Sequence, residues 1–483
     1  MRCSTRRHLA ARLLACAWAA WALAAHAQEA PTLDDARAAL REAVRFYHDR
    51  LAVGGGYVYC YSGDLTLSEG EAKTTGTAMI WVQPPGTPTV GSAYLDAYEA
   101  TGDPFCLTAA REAAYALVSG QLRTGGWYYH IELDPVKRLD YLYRDLPVRK
   151  VPRAHRTTAA DDNTTGAAVR FLMRYDKALG FSDQRVHEAV LFTLEALLAA
   201  QYPIGAWGHN WTEYPRPVSA DEYPVIRASY PETWPHQWPN DWTGRYFLND
   251  RIVMDLIAAM LDAHDTYGDA RYLASALRAG GFLLLAQMPD PQPAWAQQYD
   301  PAMHPVWDRK FEPPAITGLE SQDVLRSLLL LYRRTADREY LEPLPRALEY
   351  LRRSRLPDGR LARFYELRTN RPLYFTEDYQ LTYDPAACPK HYSFVVASHL
   401  DEIEAEYARV AAMDPAGLWP PEPLPAPEPD DVRRVIESLD ERGAWVEEGV
   451  LHAHDVKPAS GVIRSQTFAD NVALLCRFIA PRD

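Results

Sequence analysis

Four times along this chain a helix-like run, an acidic turn, a second helix-like run and a loop follow one another. The turns are Gly102-Asp103-Pro104, Ser182-Asp183-Gln184, Gly268-Asp269-Ala270 and Ala336-Asp337-Arg338, so the unit recurs after 80, 86 and 68 residues. Three units close on Gln and a Trp-bearing loop: Gln121 to Trp127, Gln201 to Trp207 and Gln287 to Trp295. The fourth closes on Pro357-Asp358-Gly359 and then Arg363-Phe364-Tyr365. A helical hairpin cannot bury both of its apolar faces alone, so hairpins at a steady period imply stacked neighbours. The expected class is all-α: an incomplete (α/α) toroid of helical hairpins with long functional loops and minor β-strands. Curving hairpins deliver such loops to one mouth. Trp, Tyr, Gln and Asn there suit a sugar-polymer cleft, because aromatic faces stack on pyranose rings and amides bond their hydroxyls. The competing reading is that the loop Trp residues staple the ring together.

Helical spacing of three and four covers 33–48, 92–121, 166–201, 250–287, 320–354 and 393–413, whereas Tyr57–Tyr61 and Thr77–Val82 read as short strands. Trp211 to Trp242 is rich in Pro, Trp and Tyr, has no helical period, and reads as an ordered rim loop. The N-terminus sets Arg2, Arg6, Arg7 and Arg12 before an apolar Leu13–Ala25 and Ala25-His26-Ala27, the pattern of a cleaved secretory signal over residues 1–27. The expected organisation is therefore a leader, a toroid over 28–413, a stiff Pro-rich connector over 414–431, and a helical pair over 432–483 that closes the ring. Its Gly443-Ala444-Trp445 echoes Gly205-Ala206-Trp207. The product is expected to be secreted or periplasmic, monomeric and free of membrane spans. Cys60, Cys106, Cys388 and Cys476 remain after cleavage, and their pairing stays open among three connectivities. No C-x-x-C or H-E-x-x-H is present, which disfavours a thiolate or histidine zinc site. The precursor carries −13, and without the four leader arginines −17. That charge disfavours nucleic acid, and it means a polyanionic substrate would need local positive charge or a cation.

Thr157 to Thr165 brings Asp161, Asp162 and Asn163 to the start of a helix, and Asn249-Asp250 opens the corresponding helix of the next unit. An N-cap accounts for one such side chain, not three. Adjacent carboxylates facing a cleft repel one another, and a hard divalent cation relieves the repulsion. Further loops set Arg and Lys among aromatics: Gln297 to Asp300, Arg309 to Pro314, Arg363 to Leu367, Asn370 to Phe375 and Lys390-His391-Tyr392.

Taken in order, Asp161 to Thr165, Ala200 to Trp207, Asn249-Asp250, Ala296 to Asp300, Arg309 to Glu312, Gly318 to Ser321, Ala362 to Leu367 and Asn370-Arg371-Pro372 resemble the pectic acid lyases of polysaccharide lyase family 10. The set covers roughly residues 75–395. The resemblance implies an (α/α) toroid and calcium-assisted β-elimination on polygalacturonate, an acidic plant polysaccharide. It places calcium at Asp161 and Asp250 and a substrate-carboxylate contact at Arg309; from the residues themselves, Asp162 or Asn163 is expected to join the ion. The family's base is an arginine in an R-D-G after N-R-P, where this chain has Thr376-Glu377-Asp378. Arg371 and Arg363 are then the candidate bases, with Lys390, Trp207, Gln298 and Tyr365 as further substrate contacts. Two other readings stand beside the lyase. One is a glycoside hydrolase using Asp161 with Glu320 or Glu312, which needs one raised carboxyl pKa and no metal; the other is a polysaccharide-binding protein that has lost its base.

Overall fold

The computed structural model describes residues 30–74, 78–422 and 424–480. The expected leader, residues 1–27, lies outside the described residues. Twelve α-helices carry the fold among them: α1 (Leu33–Phe46), α2 (Thr87–Thr101), α3 (Pro104–Ser119), α4 (Thr164–Ala178), α5 (Gln184–Ala200), α6 (Ile252–Tyr267), α7 (Ala270–Leu285), α8 (Glu320–Thr335), α9 (Leu344–Arg353), α10 (Leu400–Ala411), α11 (Pro429–Glu437) and α12 (Ser465–Ile479). The even-numbered helices form an inner row, packed side by side from α12 through α2, α4, α6 and α8 to α10, and each hairpin places its second helix outside. This is an all-α toroid of helical hairpins with a few short strands.

The recurring acidic turn has a local cause. Asp103, Asp183 and Asp269 are N-caps of the outer helices α3, α5 and α7, their carboxylates accepting from first-turn amides, and Asp337 caps the 3-10 turn Arg338–Leu341 in the same way. The Gln and Trp of the loop act next. The indole N–H groups of Trp127, Trp207 and Trp295 donate to the carbonyls of Leu117, Leu197 and Leu283 at the ends of those outer helices, supplying partners for orphan C-terminal carbonyls. Gln121, Gln201 and Gln287 reach across instead, donating to Ala189, Ser275 and Pro343 of the following unit. The Gly two residues before Trp is required by close approach: Gly205 sits at φ +106, and a Cβ there would lie 2.0 Å from the Arg278 carbonyl oxygen.

The loop tryptophans are therefore staples. Trp207 is wholly buried, so it offers no face to a sugar ring. Tyr365 takes the same part in the fourth unit, buried with its hydroxyl donating to Ser354 O at 2.7 Å. Trp207→Ala is expected to cost about 3–5 kcal/mol, the range for emptying a packed aromatic site, with loss of the Leu197 cap added. The shift of the urea unfolding midpoint measures it.

Trp445 donates to Val435 O in the same manner, and α12 packs on α1 and α2. Strand Val462–Arg464 pairs antiparallel with Cys60–Ser62. In the Pro-rich stretch, Leu418 is buried and Trp419 lies under the Arg334 guanidinium at 4.4 Å, so this stretch lies against α8. Residues 211–242 contain no helix and run over the rim. Cys60, Cys106, Cys388 and Cys476 are free thiols. Among the described residues no helix is long and apolar enough to cross a membrane.

Candidate functional site

The starts of the inner helices α2, α4, α6 and α8 converge on one cavity of about 570 Å³, whose wall includes Gln83, Asp162, Asn163, Asp250, Glu320 and Arg363. Two of these starts share an unusual backbone. Asp162 and Asn163 before α4, and Asp250 and Arg251 before α6, all have φ between +48° and +64°, and the two turns pack against each other. Left-handed non-glycine residues cost about 1–3 kcal/mol each and cluster at functional sites. Matched pairs of them turn the acidic side chains toward a common point.

At that point Asp161, Asp250 and His209 present one ligand-type atom each within 4.8 Å of one another. The Asp161 Oδ2 accepts from Tyr129 Oη at 2.6 Å and lies 3.2 Å from His209 Nε2. Among the described residues its Oδ1 is buried without a partner, as are Asn163 Oδ1, Asn249 Oδ1 and Glu320 Oε2. Leaving a buried acceptor unpaired costs about 1–3 kcal/mol. These four orphans are all oxygens on the helix starts that form the site, the donor set a hard divalent cation takes.

The electrostatics agree. Burial, then the charges of Asp161 and Asp250, push the Asp162 carboxyl up to about 7. Burial and the charge of Asp161 push Asp250 up to about 6. Burial and Glu312 push Asp308 up to about 7. Burial also acts on Asp161, but the hydrogen bond and charge of His209, helped by Tyr129, carry it below the usual carboxylate range. His209 moves the opposite way: burial opposes its charge, and Asp161 more than restores it. The site holds more negative charge than its own cations neutralise.

Those cations are engaged. Arg309 makes a fork to Glu312, with Nε at 2.6 Å and Nη2 at 2.5 Å, and lies 3.7 Å from Asp250. Arg363 pairs with Glu320 at 3.0 Å and lies over the Tyr392 ring at 4.3 Å. Burial disfavours its charge, yet Glu320 and Tyr392 raise its pKa, the reverse of what a general base requires.

The structure thus brings together Asp161, Asp250, Asp162, Arg309 and Arg363 and leaves five expected residues elsewhere. Arg371 is exposed, stacked on Tyr383 at 3.3 Å, and forms none of the cavity wall. Lys390 is exposed and likewise outside the wall. Gln298 is buried with its amide donating to Val306 O at 2.6 Å, within a strand paired to Tyr246–Phe247, so it holds the rim together. Trp207 and Tyr365 are the staples described above. Where an arginine base would stand, Thr376 to Asp378 forms a hairpin tip between strands Pro372–Phe375 and Leu381–Thr382, with Thr376 bonded to Asp378.

Three contributors received no role in the sequence reading: Tyr129, His209 and Gln297, the last donating to Glu320 Oε1 at 2.8 Å. Each stands two residues after a staple, Trp127, Trp207 or Trp295. With the Trp fixed inward on its helix end, the residue two positions on is delivered to the mouth.

No family model matches the chain, and no curated protein matches it. Among solved structures, a family 10 polysaccharide lyase from Cellvibrio cellulosa is 16% identical over 68% of this chain and 97% of its own, with a TM-score of 0.43. A cellobiose 2-epimerase from Spirochaeta thermophila is 16% identical over 93% of this chain and 98% of its own, with a TM-score of 0.47. An α-1,6-mannanase of Salegentibacter is 12% identical over 93% of this chain and 99% of its own, with a TM-score of 0.40. Likenesses this distant assign no activity.

Proposed function

We propose that this chain is a carbohydrate-active enzyme that cleaves polygalacturonate or a related uronate polymer by calcium-assisted β-elimination. The observation that carries the reading is the Asp161–His209–Asp250 cluster with its surrounding unpartnered oxygens. Asp161 would hold calcium through Oδ1, its Oδ2 being fixed by Tyr129 and His209, and Asp250 would add the second carboxylate. Calcium, when bound, neutralises a uronate carboxylate and so eases removal of the neighbouring carbon-5 proton. Arg363, kept protonated by Glu320, faces the cavity as a fixed positive charge for the same carboxylate and for the charge that builds on it. Arg309 braces Asp250 and Glu312 from behind.

A second reading, hydrolysis by carboxylates, is favoured by one observation: Asp162 and Glu320 both form the cavity wall, whereas Arg363 lacks the surroundings of a base and Arg371 stands outside the wall. Elimination leaves an unsaturated uronide that absorbs near the ultraviolet edge, and hydrolysis does not. Incubation with polygalacturonate is expected to give that absorbance in calcium, none in chelator, and recovery when calcium is returned. New reducing ends without absorbance would establish hydrolysis, and binding without either product would leave a polysaccharide-binding protein.

A further inference from the structure

The Pro- and Trp-rich rim, which the chemistry above does not use, encloses a pocket of its own. Trp234, Trp307, Asp241, Asp300, Thr243 and His304 stand in the wall of a cavity of about 260 Å³. The rim is pinned rather than loose: Trp307 donates its indole N–H to Pro235 O at 2.7 Å, and Trp238 donates to Asp308 O at 2.8 Å. Trp307 is buried and backs the pocket, so the ring surface left to a ligand there is that of the half-buried Trp234. The two rings of the wall, Trp234 and Trp307, lie 6.4 Å apart at 53° to one another. His236 stacks on Trp234 at 4.1 Å and stiffens it. A preformed aromatic wall with a few hydrogen-bonding groups is the build of a sugar subsite, because little ordering remains to be done on binding.

The charge of the wall narrows the ligand. It carries Asp241 and Asp300 and contains no Lys or Arg, and the His304 ring stands 3.9 Å from the Asp300 carboxylate. A uronate would meet two carboxylates there and no Lys or Arg to offset them. The hydroxyls of an uncharged sugar can donate to both. The pocket is also next to the first site: Trp307 walls it, and Arg309, two residues on, reaches Asp250.

We propose that this pocket is a second carbohydrate subsite that takes a neutral sugar unit. Resting on the uronate reading of the first site, it implies a polymer that carries neutral sugars beside acidic ones.

The test uses the full chain and calorimetric titration with neutral tetrasaccharides of glucose, mannose and galactose, each alone, with trigalacturonate as the anionic comparison. At least one neutral probe is expected to bind with a Kd on the order of 1 mM, unchanged by chelator and by Asp161→Ala. Thr243→Trp, at an exposed position on the pocket edge, is expected to weaken it by at least about tenfold with the circular dichroism spectrum unaltered, and Trp234→Ala to do the same. Absence of binding by every neutral probe would overturn the proposal. So would binding that survives both variants, or binding that calcium removal abolishes. The two readings fail separately. Neutral binding without calcium-dependent trigalacturonate binding sinks the uronate reading and keeps the subsite, and the converse sinks the subsite alone.

Discussion

Replacing Asp161 and Asp250 together by alanine is expected to abolish calcium-dependent cleavage, a loss of more than about a hundredfold, since changes even behind metal ligands cost about 10–100-fold. A readout independent of turnover is available. Calcium binding only the folded wild type raises its unfolding temperature, and the double variant is expected to show no such rise. A variant that keeps full activity in chelator would refute the metal site. His209 sharpens the same test. It lies on Asp161 Oδ2, whereas the unpartnered oxygen is Oδ1, so its expected role is to orient the carboxylate, not to bind the ion. Asp161 raises the pKa of His209, so the ring carries its proton to higher pH than usual. If His209 coordinated the ion it would have to shed that proton, and affinity would climb as pH rises through its pKa. As an orienting group it keeps its bond in either state, so the climb in calcium affinity is expected to follow the carboxyls of Asp250, at about 6, and Asp162, at about 7, and to keep its shape in His209→Gln. A further climb at higher pH that His209→Gln removes, with a softer ion preferred to calcium, would assign His209 as a ligand.

The hairpins were legible because their signals are local. An Asp at the head of the outer helices α3, α5 and α7 and a Gly two residues before Trp127 and Trp207 are fixed by capping and by close backbone approach, at Asp103, Asp183 and Asp269 and at Gly125 and Gly205. What they mean was harder to read. Trp207 and Tyr365 look alike whether a sugar or a helix end occupies their faces, and only burial separates the two. Gln298 misleads similarly: its strand pairing to Phe247 sets which way it points, and pairing between residues fifty apart leaves no trace in either segment alone.

The site was legible where it is built from helix starts and obscure where it is built from loops. Asp162 and Asp250 occupy equivalent places one unit apart, as do Asp161 and Asn249, so the repeat itself brings the two acidic turns together. Arg371 and Lys390 were assigned through neighbouring residues in sequence, but a hairpin of strands carries Arg371 outward onto Tyr383. Tyr129, His209 and Gln297 were hidden by their differing chemistry. Position relates them, since each stands two residues beyond a staple. In a repeat fold the geometric register outlasts the residue type, and reading one unit against the next at fixed offset from the staple finds what a search for matching residues misses.

Arg363→Ala is expected to destabilise the fold by about 3–5 kcal/mol, the cost of stranding one member of a buried ion pair. The pair is nearly dry, with side-chain exposures of 9% for Arg363 and 2% for Glu320. Glu320 would retain only the Gln297 amide at 2.8 Å for a full negative charge. Neutralising it as well separates structure from function. Arg363→Ala with Glu320→Gln removes both charges, so most of the stability is expected to return while turnover does not, because the cavity has lost its fixed cation. Arg363→Lys is expected to fall between, since a point charge can pair with Glu320 but cannot also present a planar fork to a substrate carboxylate. Urea unfolding midpoints and kcat/KM on the same preparations decide the matter. An Arg363→Ala protein as stable as the wild type would show that the pair holds nothing. Full turnover in the double variant would remove Arg363 from the reaction and leave the calcium site to act on the uronate alone.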